Sequence, residues 1–194
     1  RVAGMGQCCA SLMGGSDEEG GGLDAPDDAS PAIGIPEEFR GSKVSVTDSL
    51  EVSGSGAALA AAPVEQDSAY WEIVVVKPGP MQLGVSRKMP AKLLDAGLDG
   101  KVGDPPKSWT FDGGKLAEGD VVGVAFTQCD LPNLSFTKNG EPTRESDVKK
   151  IGGMVYPVVS VGGEAVIRVV FAPESFANAP PPGAKPLMVV RSIL

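Results

Sequence analysis

Residues 153–163 read GMVYPVVSVGG: six apolar residues in eleven, with Pro157 inside the run. By periodicity alone, a short apolar run fits a buried strand or part of a helix. The flanking glycines and the density of β-branched valines decide for a strand. Pro157 has no N–H to give to a ladder, so it belongs near a strand start, at a bulge or on an edge.

Working outward, the same period of two recurs. AYWEIVVVK (69–77) places Trp71, Ile73 and Val75 on one face, and MQLGVSRK (81–88) alternates Leu83 with Val85. SWTF (108–111) leads into a glycine turn. GDVVGVAFTQ (119–128) turns Val122, Val124 and Phe126 to one side, and NLSFTKNGEP (133–142) alternates Leu134 with Phe136. The latter then reaches Asn139-Gly140, the pair that supplies two positive φ angles to a tight hairpin turn. EAVIRVVFA (164–172) sends Ala165, Ile167, Val169 and Phe171 inward, and only PAKLLDA (90–96) reads as helical. Many short strands with frequent turns predict an all-β, two-sheet antiparallel sandwich. Its core is expected to hold Trp71, Ile73, Val124, Phe136, Ile167 and Phe171.

Composition divides the chain. Residues 1–42 form a leader rich in glycine, aspartate and proline, a composition that buries too little apolar surface to offset its ordering entropy. Residues 1–40 hold eight acids and two arginines, −6, whereas 41–194 hold 17 acids and 15 bases, −2. The sandwich is assigned to 43–173 and is nearly neutral, so no basic field for a nucleic acid exists. Residues 174–194 begin proline-rich and end in an apolar stretch suited to a last strand. No apolar run reaches the length of a membrane-spanning helix. Cys8, Cys9 and Cys129 give no disulfide framework, which points to a reducing, cytoplasmic compartment.

The 194 residues contain no histidine, which removes Ser-His-Asp and Cys-His nucleophiles and most zinc sites. A calcium-loop count starting at Asp95 puts Pro106 where a bidentate glutamate is needed, so no metal is expected there. GSGAAL (54–59) lacks the third glycine of a dinucleotide fingerprint and sits outside any βαβ unit. Gly54 and Gly56 therefore mark a bend between strands. No cofactor and no reaction are expected. Arg87 and Lys88 read as a charged loop able to meet an acidic partner, and Trp109 as core first and exposed anchor second.

The order YWEIVV, LGVS, GDVVGVAF, LSFTKNG, YPVVSV resembles the SPRY domain family over about residues 43–173. A double cysteine near the N-terminus, Gly54, Gly56, Leu59, Ala60, Ala62 and Pro63 ahead of YWE, and Pro180, Pro181, Pro182 and Gly183 are similar to a small single-domain member. The resemblance implies a concanavalin-like sandwich, with the tyrosine-proline at the start of a late strand. It also implies a protein-binding module whose loops (78–82, 86–108, 127–133, 141–153) dock a protein or peptide. In some SPRY domains an aromatic just after the YP-x-V-S strand lines a peptide pocket; Gly162 and Gly163 stand there. The expected surface is Arg87, Lys88, Trp109, Gln128, Gly162 and Gly163, together at one end of the sandwich. The rival expectation is a lectin-like carbohydrate binder, which needs exposed aromatics and usually calcium.

MGQCCASL (5–12) carries one more expectation. With Met5 as the start, Gly6 is an N-myristoylation acceptor, although Ala10 stands where serine or threonine is preferred. Cys8 and Cys9 then become palmitoylation sites. Two acyl chains make a stable anchor where one does not. The leader's acids are expected to hold the sandwich off an anionic membrane surface.

Overall fold

The computed structural model describes residues 32–97, 108–113, 115–128, 131–143, 148–149 and 151–189. Its strands are β1 (Val44–Val46), β2 (Glu51–Gly54), β3 (Gly56–Leu59), β4 (Ser68–Lys77), β5 (Met81–Ser86), β6 (Ser108–Asp112), β7 (Val121–Thr127), β8 (Asn133–Lys138), β9 (Glu141–Pro142), β10 (Val148–Lys149), β11 (Tyr156–Val161) and β12 (Val166–Val170). One short helix, α1 (Ala91–Ala96), lies between β5 and β6, and Glu37–Phe39 makes a 3₁₀ turn. The large sheet runs β1-β2-β12-β4-β7-β8-β10 with β9 on β8, and the small sheet runs β3-β11-β5-β6. All named strand pairs are antiparallel.

The inner faces carry the predicted alternation. Trp71, Ile73, Val124, Phe136, Ile167 and Phe171 are all buried in one core. Phe111 of the small sheet meets Phe136 of the large one at 5.3 Å between ring centres. Ile33, Ile35 and Leu187 are buried in that same core, so packing reaches beyond 43–173 at both ends. A second cluster lies outside the small sheet, where Leu94 of α1 and Met89 cover Ala57, Leu59 and Val158.

Gly54 and Gly56 are the bend between strands: the chain leaves β2 in the large sheet and enters β3 in the small one there. Gly54 has φ 101°, and a Cβ on it would collide with the Lys43 carbonyl oxygen. At Gly56 a Cβ would stand 2.8 Å from the Leu94 carbonyl oxygen, so glycine lets α1 sit down on β3.

Pro157 is the second residue of β11 and pairs with Val85 on β5. Its carbonyl accepts from Ala60 N–H at 3.0 Å, just past the end of β3. The N and C=O of one residue in an antiparallel strand face the same side. The proline nitrogen therefore faces the frayed end of the β3 ladder, where a missing donor costs least.

Asn139 (φ 52°) and Gly140 (φ 85°) form the tight turn between β8 and β9. Asp120 braces it: one carboxylate oxygen takes Lys138 Nζ and Ala117 N–H, each at 2.7 Å, and the other takes Asn139 Nδ2 at 2.9 Å. The Lys138 contact first, then the Ala117 N–H, hold the Asp120 pKa at about 2, below its ordinary 3.8. A depressed carboxylate stabilises the fold above its unfolded pKa and loses that contribution as pH falls through the folded one. Stability should drop by about 1–2 kcal/mol as pH falls from about 4 to 2 on account of this group. Asp120→Asn should flatten that part of an acid-denaturation curve, and an unchanged curve would remove the brace.

Candidate partner-binding site

The two ends of the sandwich differ. Tyr156 pairs with Ser86 at one end of the small sheet and Val161 with Met81 at the other, about 17 Å away at 3.4 Å per residue. They are called the Arg87 end and the Gly162 end below.

At the Gly162 end, a cleft of about 370 Å³ opens on the outer face of the small sheet, bounded by Ala96 and Gly97 at the close of α1. Across its floor run Ser160 of β11, Gln82 of β5 and Asp112 of β6, which are direct cross-strand neighbours. Paired residues project to the same face, so three polar side chains make one row across three strands. Ser160 Oγ donates to the Gly56 carbonyl at 3.2 Å, and Thr110 Oγ1 donates to Gln82 Oε1 at 3.1 Å. Ser55, Pro80 and Gly162 form the rim. Gly162 N–H bonds the Pro80 carbonyl at 2.9 Å and ties the rim loops together. Asp112 is the one charged group among the described lining residues.

The expected single surface divides between the two ends. Gly162 lines the cleft, and Gly163 (φ 59°) stands beside Pro80. Arg87, Lys88 and Gln128 lie at the opposite end. Arg87 Nε and Nη2 donate to the Gly152 carbonyl at 3.0 and 2.7 Å, and Lys88 Nζ sits 4.9 Å from the Phe39 ring centre. Gln128 Nε2 donates to the Val64 and Gln66 carbonyls, which makes it a brace between loops. Trp109 is corrected outright. It is 3% exposed and packed in the core, because β6 turns it inward opposite Val85, so it cannot anchor a partner.

Gln82, Asp112 and Ser160 were not singled out by the sequence. Each is visible as the polar partner of an inward residue (Leu83, Phe111, Val159), but only the register shows that they are adjacent. Gly6, Cys8, Cys9, Cys129 and most of the calcium-loop stretch lie outside the described residues. Among the described residues no cluster of three metal-ligating side chains occurs, and no helix is long and apolar enough to cross a membrane.

A SPRY domain profile matches residues 68–174. The chain belongs to the SPRY domain family. SPRY domains are generally protein-interaction modules. Human SPRY domain-containing protein 7 is 27% identical over 199 residues, covering 96% of this chain and 96% of that protein. The mouse protein of that name is 26% identical over the same span. Among solved structures, the Drosophila melanogaster neuralized NHR1 domain superposes with a TM-score of 0.56 at 10% identity, over 73% of this chain and 99% of that one. The solution structure of the NHR domain in Neuralized from the same organism gives 0.54 at 12% identity, over 81% and 95%. At such identities the likeness is one of fold: a two-sheet sandwich shared beneath different surfaces.

Proposed function

We propose that the chain is a non-enzymatic adaptor or structural module that docks one protein partner in the cleft at the Gly162 end. The observation that supports this most is the Ser160–Gln82–Asp112 row, a rigid polar floor inside a cleft of about 370 Å³. Strands fix these groups, so a peptide meets pre-placed partners rather than ordering them on arrival. Gly162, standing where some SPRY domains carry an aromatic, leaves this cleft open and polar. Among the described lining residues there is no cysteine, lysine or tyrosine, and Ser160 Oγ spends its proton on the Gly56 carbonyl rather than on a base, which favours binding over reaction. A carbohydrate would be gripped by stacked rings, and the described lining has none, so the protein reading is preferred.

Filling the floor with Gln82→Arg and Asp112→Lys should cut recovery of the specific partner about tenfold or more in quantitative affinity purification with mass spectrometry. Thermal melting should confirm the fold of both variants. Undiminished recovery of every partner by both variants rejects the cleft.

We propose in addition that, with Met5 as the start, Gly6, Cys8 and Cys9 carry acyl chains that hold the module at a membrane surface. Two acylation signals together supply the stable attachment that one lacks. Clickable myristate and palmitate should label the protein, and Cys8→Ser with Cys9→Ser should release it from the membrane fraction. Failure of both lipids to incorporate removes the anchor and leaves the cleft untouched.

A further inference from the structure

The Arg87 end, remote from the cleft, carries a closed circuit of contacts on its surface. Arg87 is fixed by the Gly152 carbonyl at 3.0 and 2.7 Å, and Met154 follows two residues on. Tyr156 Oη donates to Met154 Sδ at 3.3 Å. The Tyr156 ring stacks on Phe39 at 6.3 Å and 29°. Lys88 Nζ lies over Phe39, and Lys88 is bonded in sequence to Arg87, which closes the ring. The centre is aromatic and thioether; two cations stand at its edge.

The cations have a property that the paired bases lack. Lys77, Lys138 and Arg168 each meet a carboxylate. Arg87 and Lys88 are positioned by a neutral carbonyl and an aromatic face instead. A guanidinium has five donors in a fork, and Arg87 spends Nε–H and one Nη2–H on Gly152. Arg87 is an exposed residue, and a guanidinium held by one edge is suited to meet a carboxylate with the other.

Apolar surface gathers at the same end. Among the described residues the exposed large apolar side chains are Leu131 (77%), Met154 (57%) and Met188 (48%). Leu131 lies in the loop from β7 to β8, just past Gln128. Gln128 bonds the Val64 carbonyl, and Val64 N–H bonds the Val155 carbonyl at 2.8 Å, next to Met154. Met188 N–H bonds Gln66 Oε1 at 2.8 Å, and the Gln66 carbonyl accepts from Gln128. All three therefore stand at the Arg87 end, and of them Met154 belongs to the circuit above. Methionine adapts its shape to an incoming apolar group.

We infer that Arg87, Lys88, Phe39, Met154 and Tyr156 form a second docking site, for an acidic protein segment that carries an apolar side chain. The apolar group packs on Met154 and Tyr156, and the carboxylates meet Arg87 and Lys88. Exposed Glu37 and Glu38 beside Phe39, with Glu65 and Asp67 toward Gln128, flank the cations and leave room for only a short acidic stretch. The two cations, held by a neutral carbonyl and an aromatic face, complement an acidic protein segment.

The test uses the full chain and two fluorescein-labelled dodecapeptides, one of Asp and Glu around a central Leu-Phe pair and one with Lys in place of the acids. Fluorescence anisotropy should show saturable binding of the acidic peptide alone. Lys88→Glu, which leaves the Arg87–Gly152 contact in place, and Met154→Ser should each weaken it about tenfold, and Asp112→Lys in the cleft should not. Equal binding of both peptides, no saturable binding, or insensitivity to Lys88→Glu overturns the site. Capture on phosphatidylserine vesicles that Lys88→Glu abolishes, without peptide binding, reassigns the end to lipid and overturns it too. Dimerisation lost in Met154→Ser, again without peptide binding, overturns it in favour of self-association.

Discussion

Phe136→Ala is expected to lower the unfolding free energy by about 3–5 kcal/mol, as truncation of a buried phenylalanine does. Phe136 is 1% exposed and projects from β8 into the seam between the sheets. There it meets Phe111 at 5.3 Å, while Val124 faces it across the ladder from β7. The seam cannot collapse around the lost ring, because strands in two hydrogen-bonded sheets hold their spacing. A domain of this kind has about 5–15 kcal/mol in total, so the variant should sit near the edge of folding at body temperature. Urea denaturation followed by tryptophan emission reads the change directly, since Trp71 and Trp109 are both buried in this core. A loss under about 1 kcal/mol would place Phe136 outside the seam.

Much of this was legible because strands betray themselves by alternation. Trp71, Ile73, Val124 and Phe136 were readable as core, and Asn139-Gly140 as a hairpin turn, from local sequence alone. The site was less so. Arg87 follows β5 and Gly162 follows β11; these strands are antiparallel neighbours, so residues that follow each must lie at opposite ends. Nothing local states that β5 and β11 pair, and the two positions were read as one surface. The Ser160–Gln82–Asp112 row fails to announce itself for the same reason: its members come from three strands far apart in sequence. Trp109 has a local signal, alternation within SWTF, that correctly spoke for the core over the anchor.

Glu72 is the residue whose local pattern misleads most. In YWEIVV it occupies the outward position between Trp71 and Ile73, where an acid normally meets solvent, yet it is fully buried. The cause lies about a hundred residues downstream. After β12 the chain crosses the outer face of the large sheet, and Phe176 packs edge-on against Tyr70 at 5.1 Å. Glu72 Oε2 accepts from Ala177 N–H at 2.6 Å, and Oε1 accepts from Asn178 N–H and Tyr70 Oη, each at 2.9 Å, and from Asn178 Nδ2 at 3.2 Å. Burial first, then the bond to Glu72, push the Tyr70 phenol above its ordinary 10.0. A raised phenol pKa keeps its stabilising effect below about pH 10 and loses it as pH climbs further, so Tyr70→Phe should soften alkaline unfolding. Glu72→Ala should cost about 3 kcal/mol, since it leaves the buried Tyr70 hydroxyl and three part-buried donors without this acceptor. Glu72→Gln should cost less, because its carbonyl oxygen keeps some of those bonds while its NH₂ opposes another donor. The loss should be local in its first effect. Amide exchange at Ala177 and Asn178 should rise in Glu72→Ala well before exchange at Val124 or Ile167, because the stretch around Phe176–Asn178 is released from the outer face of the large sheet while the core between the sheets, Phe171 and Leu187 included, persists. Exchange at residues 177 and 178 that matches the unaltered protein would show that the downstream segment is held by the Phe176–Tyr70 contact and not by this carboxyl group.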